Sequence, residues 1–288
     1  MKVWINGSLV GERDAKVSVF DRGFLYGDAV FETMRSYGGA IFRLEDHLDR
    51  MLRSLREVEI RCPYTKRYFK GAVYKTIRAN ELKDAYVRLS VTRGEGRFGI
   101  SHKDRFVPNV VIVAKRFEGY ARWMHDKGIG VAVVRIRTNE HSPLSRMKSA
   151  NFMNYIIARY EAKSRNLDDA IMLNTAGQVA EAATSNVFLV KRKCVMTPCI
   201  NSGILPGVTR GEVISIAGKT GLRVVEKKIS PRELYAADEV FLTNSLAEII
   251  PVVKIDSKRI GSGVPGPITR RLHALYKKEV WIKVQERA

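Results

Sequence analysis

The stretch that decides the fold runs from Met147 to Val190, MKSANFMNYIIARYEAKSRNLDDAIMLNTAGQVAEAATSNVFLV. It opens on Lys148, in a polar segment shortly after Pro143. From Asn151 onward Phe152, Tyr155, Ile156 and Tyr160 recur at helical spacing, which predicts an amphipathic helix with that face toward a core. A strand from Ala170 to Leu173 follows, then a turn at Asn174 to Gly177 and a second strand ending on Val179-Ala180-Glu181. Glu181 is the anomaly. A carboxylate that closes an apolar hairpin and precedes the small residues Ala182 to Asn186 needs a partner, because burying a charge alone is costly. A protonated ring nitrogen would be such a partner.

Working outward to the N-terminus, MKVWINGSLVG reads as a hairpin with Asn6-Gly7 in a type I′ turn. A strand is expected over Lys16 to Phe20, broken by Asp21-Arg22-Gly23. In the next segment, from Val30 onward, strand alternation puts Phe31, Thr33 and Arg35 on one face and Val30, Glu32 and Met34 on the other. A turn at Gly38-Gly39 returns the chain as Ile41 to Arg43. Arg43 to Arg56 reads as a helix with an apolar stripe of Leu48, Met51, Leu52 and Leu55, and His47, Arg50 and Ser54 share a neighbouring face. Ala85 to Arg93 alternates with Val87, Leu89 and Val91 inward and Tyr86, Arg88, Ser90 and Thr92 on the other side. Strand Val110 to Ala114 precedes a loss of periodicity, which sets a domain boundary near Gly119: a smaller domain over 1–119 and a larger one over 120–288.

In the second part, Ile129 to Ile136 is a strand leading to Lys148, and Lys191 to Lys193 turns into a strand at Val195-Met196. Gly207 frees the backbone, and Thr209 opens a helix to about Lys219 whose first amides point at whatever lies before it. Ser230-Pro231-Arg232-Glu233 is a capping box with proline at the first helical position. Asp238 to Leu242 is a strand feeding Thr243 to Glu248, and Pro267 to Lys278 is a helix begun by proline.

A chain of 288 residues with 45% hydrophobic and 28% charged residues can bury a sizeable core. Its N-terminus lacks the apolar run of a signal peptide, and no segment approaches the roughly 20 apolar residues of a membrane span, so a cytoplasmic location and no membrane partner are expected. The three cysteines, Cys62, Cys194 and Cys199, do not have the spacing of a metal site, and no metal is expected. The net charge of +20 could serve nucleic acid in a basic binding protein. Its Lys and Arg, however, are interleaved with 30 acidic residues and form no basic tail, which favours a general bias of the proteome or steering of anionic substrates over nucleic-acid binding.

Six stretches together resemble one family. They are KSANFMN (148–154), Gly177 through Phe188 in the spacing G-x-x-x-E-x-x-x-x-N-x-F, DRGFLYGDAVFETMR (21–35), FRLEDHLDRM (42–51), LPGVTR (205–210) and TNSLAEIIPV (243–252). They are similar to the fold-type IV pyridoxal-phosphate enzymes: branched-chain and D-amino-acid aminotransferases and 4-amino-4-deoxychorismate lyases. The resemblance runs over nearly the whole chain. It implies a two-domain D-amino-acid-aminotransferase-like α/β (α+β) fold, with a small N-terminal α/β domain and a larger β-barrel-like C-terminal domain. It also implies pyridoxal 5′-phosphate held by Lys148 as a Schiff base, with Glu181 on the pyridine nitrogen. Arg50, Val208, Thr209 and Ser245 would hold the phosphate. Tyr26, Phe31, Thr33, Tyr86, Arg88 and the main chain of Leu246 would face the substrate, with Arg93 and Arg97 as weaker candidates.

The first expectation for function is transfer of an amino group between a branched-chain or similar amino acid and 2-oxoglutarate. Amino and keto acids would be the small-molecule partners, and a homodimer the assembly. A lyase producing 4-aminobenzoate is the alternative that Thr33 and TNSL favour, because many branched-chain enzymes carry glycine at the Thr33 position. A D-amino-acid aminotransferase is a further one. The family's tyrosine on the helix after the lysine is replaced here by Phe152, with Tyr155 one turn further on.

Overall fold

The computed structural model describes residues 1–100 and 106–286. The chain divides into two compact units: one comprises Met1–Glu118 with Met147–Asn151 and the chain from Lys283, the other Gly119–Arg146 with Phe152–Ile282. The segment carrying Lys148 therefore belongs with the first unit.

The first unit is built on an antiparallel sheet. In chain order its elements are β1 (Lys2–Ile5), β2 (Ser8–Gly11), the short helix α1 (Arg22–Tyr26), β3 (Ala29–Tyr37), β4 (Ala40–Ile41), α2 (Leu44–Glu57), α3 (Lys66–Ala79), β5 (Ala85–Thr92) and β6 (Val110–Arg116). The strands lie in the order β2-β1-β6-β5-β3-β4. The expected β1–β2 hairpin forms, with Asn6 and Gly7 both at positive φ. No strand forms over Lys16 to Phe20. Val17, Val19 and Phe20 are each about half exposed or more, since an extended apolar stretch without a neighbouring ladder has nothing to pack against. The alternation in β3 and β5 is as read. Val30, Met34, Val87, Leu89 and Val91 turn to the face covered by Leu44, Leu48, Met51 and Leu55 of α2 and by Phe69, Val73 and Ile77 of α3. Helix α3 was not among the expected elements, although Thr65 caps it through a side-chain bond from the Tyr68 amide.

The second unit contains α4 (Arg122–Asp126), β7 (Ile129–Thr138), α5 (Met153–Ser164), β8 (Asp169–Asn174), β9 (Val179–Ala182), β10 (Asn186–Lys191) and β11 (Cys194–Pro198). It continues with α6 (Val208–Lys219), β12 (Val224–Lys227), α7 (Pro231–Tyr235), β13 (Glu239–Asn244), β14 (Glu248–Ile255), β15 (Lys258–Arg259) and α8 (Pro267–Gln285), the last of which passes into the first unit at Lys283. The sheet order is β12-β11-β10-β13-β14-β7-β8-β9, with β15 on β14. The sheet curls so that β9 also approaches β10 and β11. One face carries a core of Val131, Ile171, Val187, Leu189, Val240, Leu242 and Val252 with their neighbours. The capping box at Ser230 is formed in both directions.

Helix α5 departs from expectation. Ile156 and Tyr160 are not core residues; with Met153 and Ile157 they form a stripe exposed by 39–69%. The inward face consists of Tyr155, Ala158 and Ala162, packed on Ala132, Val134, Ala170, Met172 and Ala183. Small residues let the helix lie close to the sheet, so the bulkier stripe points away from it.

Candidate active site

The functional residues fall into two constellations, one in each unit. In the first, Lys148 sits on a segment that extends the β3 register. Its carbonyl accepts from the Phe31 amide at 2.9 Å, the Ala150 amide donates to the Ala29 carbonyl at 2.9 Å, and Val30 bridges Ser149. That pairing fixes the backbone and brings the Lys148 Nζ to 4.6 Å from the centroid of the Phe31 ring. The Arg88 guanidinium lies 3.7 Å from the same centroid, steadied by its Nε donating to Ser90 Oγ at 3.2 Å. Thr33 is the cross-strand partner of Arg88, and Tyr86 that of Arg35. The Lys148 amine and the Arg88 guanidinium therefore meet at one aromatic ring, and the register of β3 and β5 sets Thr33 opposite Arg88. A cation over a ring face is attracted by its quadrupole.

Tyr26 is placed differently. Its hydroxyl accepts from the Gly99 amide at 2.9 Å and its ring lies under Arg22, so its contacts among the described residues are not with Phe31 or Lys148. Arg93 is tied down by Asp28 and by the carbonyls of Val58 and Glu59, and Arg97 is exposed.

On the helix-facing side of the same strand, Arg50 meets Glu32 through Nε and Nη2, each at 2.7 Å, and His47 Nδ1 lies 2.7 Å from the same carboxylate. All three side chains are buried. Burial alone would raise the Glu32 pKa, but the charge and hydrogen bonds of Arg50, with those of His47, hold it down to about 2. Burial pushes His47 down despite Glu32, with Arg50 and Lys148 adding to the effect. Because an ionised carboxylate only accepts, the neutral His47 carries its proton on Nδ1. Glu32 and His47 had no assigned role in the sequence reading. The readable signal was a carboxylate on the core face of a strand, followed by H-x-x-R on the next helix.

The second constellation centres on Glu181, 4% exposed at the end of β9. Its Oε2 accepts from the Leu205 amide at 2.9 Å and from Asn186 Nδ2 at 3.4 Å, and its Oε1 from the Tyr155 hydroxyl at 3.3 Å. Asn186 also donates to the Leu205 carbonyl, so it locks the LPG turn to the carboxylate. Gly207, the N-cap of α6, packs so tightly that a Cβ would come 2.0 Å from Asn186 Oδ1 and force that side chain to shift. Beyond it α6 begins at Val208 with Thr209 buried, which leaves a helix N-terminus of the kind that receives phosphate.

Ser245 and Leu246 lie in the turn between β13 and β14. That turn is organised by Asn244, whose Oδ1 accepts from the amides of Leu246 at 2.9 Å and Ala247 at 2.7 Å and whose Nδ2 donates to Ser185 Oγ at 2.9 Å. This is an Asx turn, readable in principle from the asparagine of TNSLA. Beside it, Thr243 Oγ1 is buried without a hydrogen-bond partner among the described residues.

Within the first unit Lys148 offers an amine able to take up an aldehyde. Within the second, Glu181 offers a buried carboxylate suited to a protonated ring nitrogen, and α6 a helix N-terminus suited to a phosphate. Among the described residues no group of His, Cys, Asp and Glu could hold a metal ion, and no helix is long and apolar enough to cross a membrane.

Comparison with known proteins agrees with this chemistry. Residues 29–255 match the family described as amino-transferase class IV. The chain is 39% identical to a putative branched-chain-amino-acid aminotransferase of Methanocaldococcus jannaschii, over 96% of both chains. It is 35% identical to an aminodeoxychorismate lyase of Bacillus subtilis, over 99% of this chain and 97% of that one. Among solved structures it is similar to the branched-chain aminotransferase of Thermoproteus uzoniensis with norvaline, with a TM-score of 0.91 and 38% identity over 97% of this chain and 94% of that one.

Proposed function

Because the chain belongs to the class IV aminotransferases, a pyridoxal-phosphate-dependent family, we propose that it moves the amino group of a branched-chain or similar amino acid to 2-oxoglutarate. The observation that carries the substrate reading is the pair of cations on Phe31. One is an amine able to do covalent chemistry, and the other is a guanidinium whose planar fork suits a carboxylate. The cofactor, when bound, supplies an electron sink for the carbanion chemistry at the substrate Cα.

The chain's own residues do the rest. Lys148 would hold the cofactor through Nζ, and that nitrogen, once free, would act as the base that carries the proton from the substrate Cα to the cofactor carbon bearing the amino group. The Phe31 amide bond to the Lys148 carbonyl and the Ala150 amide bond to the Ala29 carbonyl fix the backbone that carries that nitrogen. Glu181 keeps the ring nitrogen protonated. Val208 and Thr209 offer amides to the phosphate, Ser245 a hydroxyl, and Arg50 a cation whose orientation Glu32 sets. Arg88 and Tyr86 orient the substrate carboxylate. Phe31 supplies an apolar wall against which a branched side chain can pack.

A second reading, a lyase acting on 4-amino-4-deoxychorismate, is favoured by Thr33, whose side chain stands beside Arg88 across the strand pair. We also propose a cytoplasmic homodimer. Phe20, Phe24, Phe98 and Ile100 are exposed by 49–88%, and the rings of Phe20 and Phe98 lie 5.8 Å apart, which gives a second copy apolar side chains to cover.

The test is to mix the reconstituted protein with L-leucine and 2-oxoglutarate, or with D-alanine and 2-oxoglutarate, or with 4-amino-4-deoxychorismate alone, and to assay glutamate and 4-aminobenzoate. Glutamate from the L-leucine mixture supports the proposal. 4-Aminobenzoate without glutamate replaces it with the lyase reading. Light scattering of the purified protein decides between monomer and dimer.

A further inference from the structure

The carboxylate of Glu181 is gripped by three different parts of the chain. Leu205 and Asn186 serve Oε2, while Oε1 receives the hydroxyl of Tyr155, on the helix that follows the Lys148 segment. Among the described residues that phenol has no other hydrogen-bond partner. Burial first, and then the charge of Glu181, push the Tyr155 phenol far above its ordinary range, so it remains a donor across the working pH. At 3.3 Å the bond is long for O–H···O and weaker than the amide bond on Oε2.

The packing of α5 makes this contact possible. Ala158 and Ala162 share the inward face with Tyr155, and their small side chains let the helix approach Ala170 and Ala183 closely enough for the phenol to reach β9. Phe152 lacks a hydroxyl and braces the Tyr155 ring instead, with centroids 4.7 Å apart. A tyrosine that only filled space would not need to aim its hydroxyl at a buried carboxylate.

We propose that Tyr155 is a positioning residue for Glu181: its hydroxyl fixes the carboxylate's rotamer and stabilises its charge, so that the ring nitrogen of the cofactor meets an ionised partner. This rests on the reading that Glu181 faces that nitrogen. A donor on the charged form of a carboxylate lowers its basicity. The shared proton then stays on the ring nitrogen. Without Tyr155 the carboxylate competes for that proton and its orientation is less restricted.

The experiment is to reconstitute the full chain with pyridoxal phosphate labelled with 15N in the ring, and to read the ring-nitrogen chemical shift and the cofactor dissociation constant. Glu181→Gln tests the underlying reading, and its resonance should move to the unprotonated range. Tyr155→Phe should move the resonance in the same direction by a smaller amount and weaken cofactor binding by about tenfold or less, as expected for one hydrogen bond to a charged group. 3-Fluorotyrosine installed at Tyr155 keeps the ring, strengthens the donor and should move the resonance the opposite way, which preserves the test if the phenylalanine variant does not fold. If Glu181→Gln shifts the resonance and neither change at Tyr155 does, the inference is overturned and the reading of Glu181 stands. If Glu181→Gln leaves the resonance unmoved, the reading falls and the inference with it, even where Tyr155→Phe has an effect.

Discussion

Arg50 grips Glu32 through two nitrogens at 2.7 Å each, inside the first unit, on the face of β3 that α2 covers. Both partners are buried and His47 completes the ring of donors around the carboxylate. A buried pair of this kind adds little over a well-packed apolar replacement, but losing one member strands a charge. Arg50→Ala is therefore expected to lower unfolding free energy by about 3–5 kcal/mol, read from urea denaturation of the cofactor-free chain. The double change Glu32→Met with Arg50→Leu should recover a large part of that loss. A double variant no more stable than Arg50→Ala would show that the pair is not what the region depends on.

The same pair sets a pH dependence. The Glu32 pKa is depressed from its ordinary 4.5 to about 2, so its stabilisation is complete above pH 4.5 and lost as the pH falls toward 2. The stability gap between the wild type and Glu32→Gln should accordingly narrow across that window and stay constant above it. Denaturation curves taken at intervals from pH 6 downward check this, and a gap that widens in acid contradicts it.

Gly207 predicts a cofactor effect. Its φ of −67° suits any residue, so the cost of Gly207→Ala comes from the Cβ pressing on Asn186 Oδ1 rather than from backbone strain. Asn186 can yield only by giving up Glu181 or the Leu205 carbonyl. Overpacking of this kind costs about 1–3 kcal/mol, and a similar loss should appear in cofactor binding as a dissociation constant raised about tenfold or more. Titration of the apoprotein followed by tryptophan fluorescence measures it, and wild-type affinity would refute the account.

Much of this arrangement was legible before any coordinates. Alternation placed Glu32 with Val30 and Met34 on one face, which the structure shows to be the core face, and the spacing of His47 and Arg50 placed those two together. The missing step was to join them, because strand and helix patterns state which way a side chain points and not what it meets. Helix α5 shows the opposite failure. Its pattern of large apolar residues was genuine, yet Ala158 and Ala162 are the side that is buried. Periodicity finds a stripe but does not say whether bulk or close approach decides which side turns inward. Tyr155 was passed over for the same reason, since its value depends on how near the helix comes to β9.

The last prediction concerns Arg88 and Thr33, neighbours across β3 and β5. If Arg88 binds the substrate carboxylate, Arg88→Ala removes a charge-assisted hydrogen bond worth about 1.5–3 kcal/mol, and KM for 2-oxoglutarate should rise by about tenfold or more while kcat falls less. Arg88→Lys should recover only part, because an ammonium lacks the planar fork that both lies over Phe31 and reaches a carboxylate. Thr33→Gly removes the hydroxyl beside Arg88 and should raise transamination of L-leucine relative to any 4-aminobenzoate formation. Steady-state assays of both reactions in the three variants settle it. If Thr33→Gly leaves the ratio of the two activities unchanged, the β3–β5 face does not choose between them, and the choice passes to the turn that Asn244 holds in the other unit.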